Sequence, residues 1–381
     1  MMNAGGDWDF AGANTQYLTH NFHPFAARFI PQIPSKLIQG YSRIGERILD
    51  PFTGCGTTLV ECKLNGRDGV GVDVNPLFTL ISRVKTTPLS QKELECISSW
   101  RDNLVQKAAS FYGQSILSDF SSKELTATLP NWKRIDHWFS KTAQKELAAI
   151  KSQINTFDNQ RSKEFLLTCL SSIIVRVSYQ DSETRYAQKI RPVNSFSVFN
   201  AFFQKLSGMM ERMKSFSKVC SDSKIEVFTS DARRLDFLED ESFHLVVTSP
   251  PYMNAYDYHK YHRQRMLWLE IDPLPVRRAE IGGHDTYTKV GADPETYFND
   301  MRASMKEMFR LLKSGRHCFI LIGNSVVNGE KIQSQQRLQE IGRDIGFVDV
   351  HMVERKVDKS RKSFVCGARL EQEHIVCLKK P

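Results

Sequence analysis

Apolar residues in this chain come in short bursts towards its two ends and in a longer period through its middle. ERILDP (46–51) and GVGVDVNP (69–76) each read as a short β run. Between them lie a Gly-rich turn and TLVECKLNG, which has helical character. A strand–helix–strand unit of this kind sets its strands parallel. Further β signals are KIEVFTSDA (224–232), FHLVVTSPPY (243–252), HCFILIGN (317–324), FVDVHMVERKV (347–357) and EHIVCLKK (373–380), seven strands in all. Residues 86 to about 220 carry helical periodicity and no convincing strand. Leu94, Ile97, Leu104 and Phe111 share one helical face, as do Phe196, Phe199, Phe203, Leu206, Met210 and Met213. The pattern predicts an α/β fold, a seven-stranded mostly parallel sheet interrupted by a helical insertion with its own apolar seam. The divisions are 1–85, 86–220 (the insertion) and 221–381.

Composition narrows the class. At 381 residues, 41% hydrophobic and 25% charged, the chain is a globular protein of one large domain with an insertion, or of two ordinary domains. It contains no apolar run long enough for a membrane-spanning helix. Its first residues lack a basic leader and an apolar core, so a cytoplasmic location is expected. Eight cysteines without a C-x-x-C pair suit reduced, buried thiols rather than disulfides or a zinc site, and no metal is expected. The net charge of +9 suits a polyanionic partner such as nucleic acid.

Two clusters carry candidate chemistry. The first, Asp50-Pro51-Phe52-Thr53-Gly54-Cys55-Gly56-Thr57-Thr58, sits where a strand ends and a helix begins. Glycines there permit positive φ and close approach of a ligand to the backbone. Seventeen residues after Gly56, at the next strand end, Asp73 is placed to accept hydrogen bonds from both hydroxyls of a ribose, with Val74 beside it. A triphosphate would need a Lys after the last glycine, and a dinucleotide a third glycine where Leu59 stands. S-adenosylmethionine has a ribose and no phosphate, and needs neither. Asp231, followed by Ala232 after the strand beyond the insertion, could accept from the adenine amino group of the same cofactor; a solvated turn Asp is the competing reading.

The second cluster, Ser249-Pro250-Pro251-Tyr252, ends the apolar strand Leu245-Val246-Val247. Two prolines remove two backbone donors and fix two φ angles, so the nearby carbonyls are presented rigidly as acceptors. Ser249 Oγ and the Pro250 carbonyl could hold an –NH2 group by its two hydrogens, and Tyr252 offers a face for a planar base. An exocyclic amine is a poor nucleophile because its lone pair is delocalised into the ring. Two acceptors that draw its hydrogens out of plane would turn that lone pair towards an electrophile.

At these residues the chain resembles the amino-methylating DNA methyltransferases, which act on cytosine-N4 or adenine-N6. Residues 50–58 resemble the family's D-P-F-x-G-x-G-T-T cofactor motif, and residues 248–252 its tetrad of Asp, Asn or Ser, then Pro-Pro and an aromatic. His20-Asn21-Phe22-His23-Pro24-Phe25-Ala26-Ala27-Arg28-Phe29-Ile30-Pro31 resembles a third element, the N-terminal segment that closes over the methionine end of the cofactor. The resemblance covers roughly residues 18–85 and 221–380. It implies a Rossmann-like class I methyltransferase fold and S-adenosylmethionine as cofactor. Phe52 would pack on the cofactor, Asp50 and the glycine turn hold its methionine end, and His20, Asn21 and Phe22 close over it. It further implies double-stranded DNA as partner, a target base flipped onto Tyr252, and a cognate restriction or defence protein as a family expectation. Ser at the first tetrad position leans towards cytosine-N4, with adenine-N6 as the alternative. An RNA base-amino methyltransferase is a more distant rival. Many relatives carry the catalytic motif first; here the cofactor motif comes first, so the insertion occupies the place of target recognition.

Basic residues interleaved with aromatics suit DNA. Tyr256, Tyr258, His259, Lys260 and Arg263 follow the tetrad directly, and Arg185 lies in a second such stretch within the insertion. A third, 355–362, reads more readily as a solvated loop between two strands.

Overall fold

The computed structural model describes residues 7–113, 128–192, 197–357, 364–365, 368–369 and 371–381. The seven expected strands form one sheet: β1 (Arg47–Asp50), β2 (Asp68–Asp73), β3 (Ile225–Thr229), β4 (Phe243–Thr248), β5 (Leu312–Gly323), β6 (Val348–Lys356) and β7 (Gln372–Lys379). Their spatial order is β6-β7-β5-β4-β1-β2-β3. β7 runs antiparallel to both neighbours and the other pairs are parallel. The chain begins the sheet at its middle, builds outward through β2 and β3, and then crosses back to lay β4 on the other side of β1.

Alternation along the strands sends side chains to two layers. Leu49, Val72, Val246 and Ile320 pack with Met301 and Met305 of helix Pro294–Leu311 and with Leu338 of helix Ser334–Ile345. Ile48, Leu245, Val247 and Phe319 face the other way, against Ile33, Leu37 and Ile38 of helix Gln32–Tyr41. Burial on both faces is why these strands read as continuous apolar runs.

The insertion is mainly helical, as expected, with helices Gln91–Gly113, Lys141–Asn155, Gln160–Ile173 and Ser197–Val219. Leu94, Ile97, Leu104, Phe199, Leu206 and Met213 are buried, and Phe203 and Met210 pack partly buried against them. Phe111 and Phe196 lie outside the residues whose side chains are described. The seam is shared rather than separate: the same cluster takes in Leu80 and Val84 of helix Pro76–Thr86, and Trp268.

The expectation of no strand in this block fails at one place. Gln180–Ser182 and Arg185–Gln188 form an antiparallel hairpin. Neither strand alternates apolar and polar residues, so no local pattern announces it; tertiary contacts hold it. Arg265, fully buried, ion-pairs Glu183 in the hairpin turn at 2.7 Å, and Gln180 Nε2 donates to the Tyr261 carbonyl at 3.3 Å. Arg265 also donates to the Ser171 carbonyl at 3.0 Å. It lies beside His262 and His23, whose basicity is held well below the ordinary value by burial and by this guanidinium. The basic run at 355–362 is also no simple loop. Arg355 and Lys356 belong to β6, and Arg355 is buried; residues 358–362 lie outside the described residues.

No helix among the described residues is long and apolar enough to cross a membrane.

Candidate active site at the strand ends

The chain leaves β1 for β2 on one side and reaches β4 on the other, so a crevice opens at their C-terminal ends. Asp50 ends β1, Asp73 ends β2, Asp231 follows β3 and Ser249 follows β4. All four line one cleft of about 890 Å3.

The glycine turn is built for this position. Gly54 and Gly56 have φ of +48° and +76°, and a Cβ on Gly56 would come within 2.9 Å of the Ser82 backbone. Only glycine lets helix Thr57–Leu64 start there, against helix Pro76–Thr86. The Gly54 amide donates to Asp73 Oδ2 at 3.0 Å and the Asn75 amide to Oδ1 at 2.9 Å. One side of the turn thus fixes the Asp73 carboxylate. Asp50 does the corresponding work on the other side: Thr248 Oγ1 donates to Asp50 Oδ1 at 2.6 Å, across 198 residues of chain.

The cleft is acidic. Asp50, Asp73, Asp231 and Glu280 line it, against Arg28 as the lining guanidinium. Burial pushes the Asp50 carboxyl up to about 6, against hydrogen bonds from Thr248 and Thr58 that pull it down. Burial pushes Asp73 up to about 7, opposed by the Asn75 and Gly54 amides. Glu280 is raised by burial and lowered by its bond to His259. Asp231 is clasped by Arg233, which also reaches Asp300 at 2.8 Å.

Ser249 and Pro251 face the cleft. The Pro251 carbonyl accepts from the Tyr297 hydroxyl at 3.0 Å; the Pro250 carbonyl meets no hydrogen-bond donor among the described residues. Tyr252 is held at its far end, its hydroxyl donating to Glu373 Oε1 at 3.0 Å. Glu373 ion-pairs Arg355, which donates in turn to the carbonyls of Trp8 at 2.9 Å and Asp9 at 3.1 Å. Burial and then the Glu373 charge hold the Tyr252 phenol well above the ordinary value.

Of the residues singled out from the sequence, Pro51, Phe52, Thr53, Gly54, Thr57, Val74 and Ala232 also line the cleft. Gly56 and Thr58 stand behind it, Thr58 buried beneath the turn. His20, Asn21 and Phe22 are outside it. His20 is buried against Glu61 at 2.8 Å, the Asn21 carbonyl accepts from Lys205 at 2.8 Å, and Phe22 packs edge-on to Phe165 in the insertion's core. His20 and Asn21 belong to the short 3-10 turn Leu18–Asn21, which Phe22 caps, and the segment meets the cleft only further on, through Phe25, Ala27, Arg28 and Phe29.

The basic–aromatic residues divide. Tyr258 lines the cleft, stacked on Phe25 at 5.8 Å, and Tyr256 packs against Tyr258 and Tyr261. His259 is bound to Glu280, Lys260 pairs with Asp285 at 3.3 Å, and Arg185 pairs with Asp181 at 3.3 Å. Arg263 is exposed. Glu280 and Phe78 line the cleft without a signal in the sequence: Glu280 lies in RRAEIGG, which reads as a polar surface run.

Comparison with known proteins gives a consistent set. A family model described as DNA methylase matches residues 7–83. The chain is 24% identical to the type II methyltransferase M.MvaI of Kocuria varians, over 92% of this chain and 87% of that one. It is 22% identical to M.MjaII of Methanocaldococcus jannaschii, over 84% and 75%. It is 24% identical to M.BsoBI of Geobacillus stearothermophilus, over 70% of this chain and 55% of that one.

Proposed function

The chain belongs to the amino-methylating DNA methyltransferases, and from that premise we propose that it moves a methyl group from S-adenosylmethionine to the exocyclic amine of a base flipped out of duplex DNA. Cytosine-N4 is the favoured target, on Ser249 at the head of the tetrad, with adenine-N6 second. The relatives named above are type II methyltransferases, so a companion restriction or defence protein belongs to the same proposal. The insertion, 86–220, takes the part of target recognition.

The observation that carries this reading is the joining of two clusters in one cleft, through the Thr248–Asp50 hydrogen bond. The cleft also fits the cofactor. Its surplus of carboxylates suits a sulfonium cation, and Asp73 is anchored by two amides with lone pairs left for a ribose. Thr53 Oγ1 and Asn75 Nδ2, on cleft-lining residues, are buried without a partner among the described residues.

When bound, S-adenosylmethionine supplies an electrophilic methyl group. The chain's own residues do the rest. Ser249 Oγ and the Pro250 carbonyl accept hydrogen bonds from the two amine hydrogens and turn the nitrogen lone pair towards the cofactor side of the cleft. Tyr252, its ring fixed by Glu373, stacks on the base. The aromatic wall of Phe25, Phe78 and Tyr258 excludes water from the cofactor. The nitrogen gains the methyl group as the methyl–sulfur bond breaks and the neutral thioether leaves; the methylated nitrogen, then cationic and acidic, passes one proton on to solvent, so no strong base is required.

The test incubates the protein with S-adenosylmethionine and mixed-sequence duplex DNA, followed by digestion to nucleosides and mass spectrometry. The expected product is N4-methylcytosine, lost in the Ser249→Ala, Tyr252→Ala double variant. N6-methyladenine in its place keeps the mechanism and overturns the base. Methyl transfer to RNA or protein and none to DNA overturns the substrate.

A further inference from the structure

A second concavity, of about 700 Å3, lies beside the cleft. Tyr186 of the insertion hairpin forms one wall, and Pro273, Leu274 and Arg277 of helix Pro273–Ala279 another. That helix is a shared partition: Val276 and Ala279 face the cleft, while Leu274 and Arg277 face the pocket. An α-helix is about 10 Å across, so a group held here lies one helix-width from whatever occupies the cleft.

The pocket's charge is one-sided. His259, Lys260, Arg263, Arg277 and Lys289 line it with Asp285 as the lining carboxylate. Asp285 is already matched, by Lys289 at 2.9 Å and Lys260 at 3.3 Å, and His259 is spent on Glu280 behind it. Arg263 and Arg277 remain. Both are exposed, and neither pairs with a carboxylate among the described residues. Two unpaired guanidiniums in one concavity present forked N–H donors, whose geometry matches the oxygens of a phosphate.

We propose that this pocket holds a backbone phosphate of the DNA strand that carries the target base, with Arg263 and Arg277 as its charged donors. The inference rests on the DNA methyltransferase reading above and adds a phosphodiester site to it. A phosphate gripped here anchors the strand next to the base that turns into the cleft, and carries no sequence information of its own. Because the pocket has one wall from the insertion and one from the sheet half, it forms only when the two are docked.

The test measures binding of a fluorescent mixed-sequence duplex across a salt series, for wild type, for Arg263→Gln/Arg277→Gln and for Arg263→Lys/Arg277→Lys. Methyl transfer to DNA and S-adenosylmethionine affinity are measured in parallel. The glutamine variant is expected to bind DNA about tenfold more weakly at low salt. Its slope of log affinity against log salt should be shallower by about 1. The lysine variant regains the slope but not the full affinity, and cofactor affinity is unchanged in both. If the glutamine variant keeps wild-type affinity and slope while wild type methylates DNA, the phosphate site is wrong and the methyltransferase reading stands. If the glutamine variant loses cofactor affinity, the pocket is part of the cofactor cleft and the inference is again wrong. If wild type neither binds nor methylates DNA, the methyltransferase reading falls and takes the site with it.

Discussion

Asp73 ionises with difficulty, because burial outweighs its two amide hydrogen bonds and lifts its carboxyl to about 7. The unfolded value is near 3.9. Below that value the group is neutral in both states and contributes nothing to pH dependence. As pH rises from about 4 to about 7 the unfolded chain ionises first, and the folded state loses relative stability. Asp73→Asn removes this loss: the thermal midpoint of the wild type should fall relative to the variant between about pH 4 and about pH 7 and run parallel to it above that. Parallel curves for the two proteins throughout would contradict it. Asp73 and Ser249 were legible because each sits at a fixed place relative to a strand end and a turn, which sequence spacing records. Glu280 and Glu373 were not, because what they do depends on partners 21 and 121 residues away, His259 and Tyr252. His20 and Phe22 were legible as part of a segment, but side-chain direction within that segment follows from packing against Glu61 and Phe165.

Among the elements, the hairpin at 180–188 depends most on its surroundings. The ion pair that ties it to Arg265 joins a fully buried guanidinium to a carboxylate that is 36% exposed, so the two partners are not equivalent. Glu183→Ala strands the Arg265 charge in the interior and should cost about 2 kcal/mol, below the usual range for a buried pair because Glu183 is partly solvated. Arg265→Met keeps much of the volume, leaves Glu183 free to turn to solvent, and should cost less. Urea unfolding of the two variants checks the order; a larger loss for Arg265→Met would show that its bonds to Ser171 and His262 matter more than the ion pair. The helices of the insertion were readable because Leu94, Ile97, Leu104 and the Phe199–Met213 stripe repeat at helical spacing. The hairpin was not, since its strands have no buried face of their own to impose a period of two.

At the scale of the whole molecule, seven bursts of apolar residues announced seven strands, but their order is set by which ones meet across long stretches of chain. That β4 lies beside β1, through Ile48 opposite Leu245 and Leu49 opposite Val246, is not written in either segment. Since four strand ends converge on one cleft, a ligand there fastens both halves of the sheet. S-adenosylmethionine at a hundred times its dissociation constant should add about 2.7 kcal/mol to stability, read as a raised thermal midpoint. Ser249→Ala should keep that gain and Asp73→Ala should lose most of it. The same convergence sets an order of assembly. β1 and β2 can pair as soon as the short helix between them exists, whereas Thr248 reaches Asp50 only after the whole insertion has been made. Contacts this distant in sequence form late. A chain emerging from the ribosome therefore carries the glycine turn and Asp73 long before it has a site.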